Sequence, residues 1–328
     1  MNKSTKRKII IGASIVTVCA LTAASAYVML QMVTDAALKR EKPKLHKITK
    51  RQKDENLEQS VFDKFEEDKK LAAEKLNEKS LEEVSITSRD DLKLVGHWWQ
   101  CENAKRTVIC FHGWHVTWDY DFGLSADFLH DNDCNILFAE QRAHGNSEGE
   151  YTGFGLLERF DCLDWISWVN ERCGNDFPVY LYGLSMGAAT VLIAAGSNPP
   201  TNIKGVIADS AYSSAREIWQ HVFEKNSRIP YSRVETIFNT TADKKLHTDT
   251  SYTVSEALEK CDVPVLLIHG TNDDIVPVEM AYENYNSCSS HKRLYAVEGS
   301  GHCMNYFMDK SGCESEIKKL WERCESPD

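Results

Sequence analysis

What this 328-residue sequence lacks first is positive charge. Lys and Arg total 38 against 49 Asp and Glu, a formal net charge of −11. Nucleic-acid binding needs clustered Lys and Arg to neutralise phosphates, so this balance counts against such a partner. The spacings of a metal protein are missing too. The 11 cysteines form no CxxC pair and no Cys/His cluster at zinc spacing. No internal repeat is visible, and nothing calls for a metal or an organic cofactor. Several cysteines, such as Cys110 and Cys162, fall inside apolar runs and read as small buried hydrophobes. A disulfide framework is not expected where the chain has this much core of its own. An apolar fraction of 42% is that of a globular chain.

Lys3, Lys6, Arg7 and Lys8 precede an uncharged run from Ile9 to Val33. That is about the 20 residues a spanning helix needs. Ala24-Ser25-Ala26 has the form of a signal-peptide cleavage site, but the apolar run continues past it, which favours a retained anchor. Residues 1–33 are therefore expected to be a signal anchor or transmembrane segment. The basic tail and export layout put the body outside the cytoplasm. The basic residues from Lys39 to Lys53 pull the other way by the positive-inside rule. The export layout is the reading adopted: a single-pass cell-membrane protein with an extracytoplasmic body. Residues 34–80 are charged, with Leu57, Val61, Phe65, Leu71 and Leu76 at loosely helical spacing, and read as a juxtamembrane helix or stalk.

From residue 81 the pattern changes. Two β-type runs, 84–87 and 92–98, flank the turn signal Arg89-Asp90-Asp91 and predict an antiparallel hairpin. Strands follow at 107–111, 135–139, 178–182, 203–208, 264–269 and 293–297. Helices are expected at 154–169, 186–195, 277–285 and 303–324. Such alternation predicts an α/β fold, a mainly parallel sheet with helices on both faces, binding ligands beyond the carboxyl ends of its strands. Residues 211–257 interrupt the alternation with aromatics among polar residues and read as a small helical cap.

Gly183-Leu184-Ser185-Met186-Gly187 is a G-x-S-x-G motif between a strand and a helix. The turn is tight, bulk on either side would clash, and the serine hydroxyl is lifted to a helix N-terminus where developing negative charge is favoured. Ser185 is the candidate nucleophile. A serine needs a general base, and in this architecture acid and histidine follow the nucleophile in the chain. His221 and His247 lie in the cap, His269 ends a strand before the acid loop, and His291 sits at the wrong end of the last strand. His302, after Glu298-Gly299-Ser300-Gly301, is the candidate base. The acid candidates are Asp273, with Asp274 expected to cap the following turn or helix, and Asp209 as runner-up. The oxyanion would be met by two backbone N–H groups, those of Met186 and Trp114. Trp114, Trp118, Tyr120 and Phe122 lie near this site in the reading and favour an apolar or aromatic acyl group, unless they are ordinary packing.

Four blocks give the body from about residue 81 a family resemblance: Phe111-His112-Gly113-Trp114, the block from Glu140 to Ser147, the elbow at Ser185, and the late acid and histidine blocks. It resembles the α/β-hydrolase superfamily, and more narrowly bacterial membrane-tethered serine esterases and relatives of serine aminopeptidases. The resemblance implies an α/β-hydrolase catalytic domain over residues 81–328, with the cap at 211–257. It puts the family's acid position on Asp273. The second block departs from the usual Asp-x-Arg-Gly-x-Gly-x-Ser at Glu140 and Ala143, a change in a structural element. The expected chemistry is hydrolysis of a small-molecule ester through a serine acyl-enzyme. The alternatives are a peptidase or aminopeptidase-like amide hydrolase and a non-catalytic binding protein on the same fold. The sequence offers no appended propeller and no conspicuous acidic pair for an N-terminal amine.

Overall fold

The computed structural model describes residues 28, 30–40 and 58–325. Eight strands form one sheet: β1 (Glu82–Thr87), β2 (Lys93–Trp99), β3 (Arg106–Phe111), β4 (Cys134–Ala139), β5 (Val179–Leu184), β6 (Ile203–Asp209), β7 (Val265–Gly270) and β8 (Lys292–Val297). Their order is β1-β2-β4-β3-β5-β6-β7-β8. The hairpin β1–β2 and the β2–β4 pairing are antiparallel, and every pairing from β4 to β8 is parallel.

The strands are apolar at consecutive positions because both faces are covered. Along β3, Ile109 and Phe111 join one core while Val108 and Cys110 join the other. The first core is closed by α4 (Glu158–Cys173), α5 (Met186–Ala195) and α8 (Val254–Leu258). The second is closed by α3 (Trp118–Asp131) and α11 (Lys310–Glu325), with the short α10 (Asn305–Met308) beside them. α9 (Val278–Ser287) joins β7 to β8.

Two helix expectations are corrected, and one helix is added. α4 starts at Glu158, not at 154, because Phe154 and Gly155 hold positive φ of 52° and 87° and the Glu158 carboxylate accepts the Gly153 and Gly155 N–H groups at 2.6 and 2.8 Å. The last helix is split at Asp309, whose Oδ1 accepts the Gly312 N–H at 2.9 Å and so starts α11 afresh. Helix α3 was not expected. Residues 211–257 are helical as expected, with α6 (Ala215–Asn226), a 3-10 turn (Tyr231–Arg233) and α7 (Glu235–Leu246) before α8.

Most of the expected membrane span, residues 9–33, lies outside the described residues. Among the described residues no helix is long and apolar enough to cross a membrane. Residues 30–38 form helix α1, with Leu30, Thr34 and Leu38 buried. The Gln31 amide donates to Thr241 at 3.2 Å and Lys245 pairs with Asp35 at 2.7 Å, so α1 lies along α7. The segment read as a stalk is, over its end, helix α2 (Gln59–Asn77), which buries Phe65, Lys69, Ala73 and Leu76. Gly123 of α3 permits the close crossing, since a Cβ there would stand 2.8 Å from the Ala72 backbone. The ten cysteines among the described residues are free thiols, and six of them are buried.

Candidate active site

β5 runs into a turn that the glycines make possible. A Cβ on Gly183 would lie 2.1 Å from the Gly187 carbonyl oxygen, and one on Gly187 would lie 1.9 Å from that of Phe111. Neither backbone can yield, so both positions exclude side chains. Between them Ser185 takes φ 52° and ψ −115°. That conformation costs about 1–3 kcal/mol for a residue with a side chain and is held by its surroundings. The Ser185 N–H donates to the Asp209 carbonyl at 2.8 Å, tying the turn to the end of β6.

The structure brings the three expected side chains together. Ser185 Oγ is 2.9 Å from His302 Nε2, and His302 Nδ1 is 2.7 Å from Asp273 Oδ2. A carboxylate only accepts, so Nδ1–H donates to Asp273 and Nε2 is left to accept the serine proton. Burial works against the imidazolium, but the Asp273 carboxylate, with Cys303 next, outweighs it and raises His302 well above its ordinary range. Burial likewise pushes Asp273 up, and His302 and His269 outweigh that to hold it below the usual carboxylate range.

Asp273 does a second task that the sequence reading gave to Asp274. Its Oδ1 accepts the N–H groups of Ile275 and Val276 at 3.0 and 2.8 Å. Asp274 is corrected accordingly. Asp274 pairs with Lys225 of α6 at 2.5 Å, while its carbonyl meets the His221 ring at 2.9 Å, joining the loop after β7 to α6. His269 was missed as a partner of this loop. Its Nε2 donates to the Val276 carbonyl at 2.8 Å and stands 3.4 Å from Asp273 Oδ2. Asp209 does not reach His302. Its Oδ1 accepts from Asn305 at 2.7 Å and from Ser210 at 2.9 Å, which braces the elbow.

Met186 opens α5, so its N–H is among the donors that a helix leaves unused. Trp114 lies on a loop pinned at both sides. The Gly113 N–H donates to Asp121 Oδ2 at 2.7 Å, and the His115 N–H donates to His144 Nε2 at 3.0 Å. Between them, the Trp114 N–H has no hydrogen-bond partner among the described residues. The structural block noted in the sequence supplies His144, and its Ala143 stands at φ 60° where a glycine is usual. Glu140 accepts from His97 at 2.7 Å and from the Asn146 N–H.

The aromatics grouped with this site separate. Trp118 and Phe122 are buried on α3, Trp118 stacked on His97 at 4.2 Å, and the Tyr120 hydroxyl donates to Glu66 of α2 at 2.6 Å. Trp114 alone stays at the site. Its ring stacks on His115 at 3.9 Å and leads through Phe154, at 6.1 Å, to Trp219 of α6, 5.3 Å further. Among the described residues no group of three or more His, Cys, Asp or Glu side chains is placed to hold a metal ion.

Comparison with known proteins agrees with this architecture. A family model described as "Alpha/beta hydrolase family" matches residues 108–310. The uncharacterized protein YqkD of Bacillus subtilis is 26% identical over 268 residues, covering 79% of this chain and 82% of that protein. The uncharacterized protein YfhR of Escherichia coli K12 is 27% identical over 241 residues, covering 71% and 77%. Among solved structures, the Pyrococcus furiosus esterase Pf2001 superposes with a TM-score of 0.62 at 23% identity, over 75% of this chain and 94% of that one.

Proposed function

The chain belongs to the alpha/beta hydrolase family, and we propose that it cleaves a carboxylic ester through a Ser185–His302–Asp273 triad and an acyl-enzyme. The observation that carries this reading is the unbroken hydrogen-bond chain Asp273–His302–Ser185. Ser185 Oγ attacks the ester carbonyl as His302 Nε2 takes its proton. The tetrahedral oxyanion is met by the N–H groups of Met186 and Trp114. His302 returns the proton to the leaving alkoxide, Asp273 stabilises the imidazolium, and water repeats the cycle on the acyl-enzyme. An ester is favoured over an amide by the fold shared with the Pyrococcus furiosus esterase Pf2001. Trp114, only partly buried beside the Gly113 turn, suits an apolar or aromatic acyl group.

The proposal extends to place. The partners Gln31–Thr241 and Asp35–Lys245 are both 210 positions apart, so α1 and α7 run in parallel. Val28, Met32 and Val33, at the end of the uncharged run, are exposed, as are Val222, Ile229 and Ile237 of the cap. Continuing that offset puts Val28 and Ile237 at the same end of the helix pair. This supports a single-pass anchor whose apolar run leads to the cap, with the body on the extracytoplasmic side as the basic tail suggests.

The test is a fluorophosphonate probe applied to the full chain beside Ser185→Ala and His302→Ala. Labelling lost in both variants, with turnover down on the order of 10⁴- to 10⁶-fold, is the expected result. Labelling that persists without Ser185 removes the triad. Membrane fractionation and protease shaving of intact cells test the anchor and its side.

A further inference from the structure

The helix ahead of the first strand carries a lysine where a solvated face is usual. Lys69 of α2 has 6% of its side chain exposed, and its ion-pair partner Asp121 of α3 has 4%. Burying two charges costs several kcal/mol per ion before their attraction is counted, so such a pair calls for a reason beyond stability. The surroundings suit a cation. Nζ lies 2.9 Å from Asp121 Oδ1, 4.3 Å from the centre of the Tyr120 ring and 5.2 Å from that of Phe65. Burial pulls Lys69 down, but Asp121 outweighs it and raises it, so the ammonium stays charged.

The two oxygens of Asp121 divide their work. Oδ1 takes the Lys69 ammonium, and Oδ2 accepts the Gly113 N–H at 2.7 Å. Gly113 lies close to both: a Cβ on it would stand 3.3 Å from Asp121 Oδ2 and 3.4 Å from the Ser185 Cβ. The next residue is Trp114, whose N–H has no partner among the described residues. Rotation of the Gly113 peptide would therefore swing that N–H away from Ser185. Lys69 lies outside the residues 108–310 matched to the family.

We propose that Lys69 is a positioning residue for the reaction: from α2 it fixes Asp121, Asp121 fixes Gly113, and the Trp114 N–H is thereby aimed at the oxyanion. This rests on the ester-hydrolase reading above. Without Lys69, Asp121 is a buried anion that has lost its cation. It moves toward water, and its hold on Gly113 weakens.

The test compares the full-length wild type with Lys69→Met, Lys69→Arg and Tyr120→Phe. The last removes the hydrogen bond to Glu66 in the same helix contact without touching Asp121. Turnover of a p-nitrophenyl ester is divided by the number of fluorophosphonate-reactive sites, so unfolded protein is not counted. Lys69→Met is expected to lower kcat about 10- to 100-fold, short of the 10²- to 10³-fold for outright loss of an oxyanion donor. KM should change little, and a trifluoromethyl ketone inhibitor should weaken by the same factor as kcat. Lys69→Arg should recover most of the loss, and Tyr120→Phe should match the wild type. Hydrogen exchange over residues 112–117 should quicken in Lys69→Met alone. Unchanged kcat per site in Lys69→Met, or an equal fall in Tyr120→Phe, would reduce Lys69 to packing. If the wild type cleaves no ester, the hydrolase reading falls, while the exchange comparison still decides whether Lys69 holds the loop. If Lys69→Met does not fold, the same readings on Asp121→Asn decide.

Discussion

Asp273 meets His302 through one oxygen, Oδ2 to Nδ1 at 2.7 Å, and holds its own turn with the other, which accepts the N–H groups of Ile275 and Val276. The carboxylate is thus oriented by backbone on one side and orients the His302 ring on the other. Its charge raises His302 well above the ordinary value despite burial.

A base must be neutral to act, so a raised value delays activity to higher pH. The rising limb of kcat/KM against pH is expected above the ordinary histidine value of about 6.5. In Asp273→Asn the largest raising influence is gone. The limb should move down in pH while kcat falls about 10⁴-fold, because the ring loses its orientation. A limb that stays where it is in that variant would dissociate Asp273 from His302.

The elbow makes a prediction about stability. Gly187→Ala puts a Cβ 1.9 Å from the Phe111 carbonyl oxygen, between two backbones that cannot part without breaking β3 from β5. Urea melts should lose at least about 3 kcal/mol, within the range of severe core defects. A midpoint equal to the wild type would mean that the turn is looser than described.

Arg142 binds Asp161 at 2.7 and 2.6 Å and Asp90 at 2.9 and 3.1 Å, with 5% of its side chain exposed. Arg142→Met leaves Asp161 buried without its cation, at a cost of about 3–5 kcal/mol. Lys in its place cannot grip both carboxylates with one planar fork and should recover only part of that. Thermal melts of the two variants give the order directly.

His144 accepts the His115 N–H through Nε2 and donates from Nδ1 to the Arg142 carbonyl at 2.9 Å. Burial holds its ring well below the ordinary value, so it stays a neutral acceptor through the neutral range. In His144→Ala the His115 N–H loses that acceptor, at about 1–3 kcal/mol of stability, and kcat should fall with it. Equal kcat at full occupancy would show that the loop keeps its place without His144.

Much of this site was legible in the sequence because its constraints are local. Two glycines two residues from a shared centre announce a turn that no other residue fits, and the expected order of nucleophile, acid and base points to His302, whose ring stands 2.9 Å from Ser185 Oγ. The division between Asp273 and Asp274 was only half legible. Adjacent carboxylates point apart, yet which one the turn amides claim depends on loop geometry. Helix α3 was hidden by its own content. Asp121 breaks its apolar stripe and Gly123 lowers its helix propensity; Gly123 is explained by α2 lying against it, and Asp121 by Lys69 of α2 on one oxygen and the Gly113 N–H on the other. A buried pair such as Lys69 and Asp121, 52 positions apart, looks in sequence like two solvated charges.

The chain ahead of the first strand reaches the Trp114 loop at two points. Ala37 of α1 takes the Trp114 indole N–H at 3.0 Å, and Lys69 of α2 acts through Asp121. The leader is thus a tuning handle. If the proposed ester hydrolysis holds, changes in it would alter rate while Ser185, His302 and Asp273 stay the same. A chain trimmed to begin at the sheet, at Leu81, keeps Ser185, His302 and Asp273 but gives up both grips on that loop. Exchange of leaders between relatives would then be a route to new specificity that leaves the chemistry untouched.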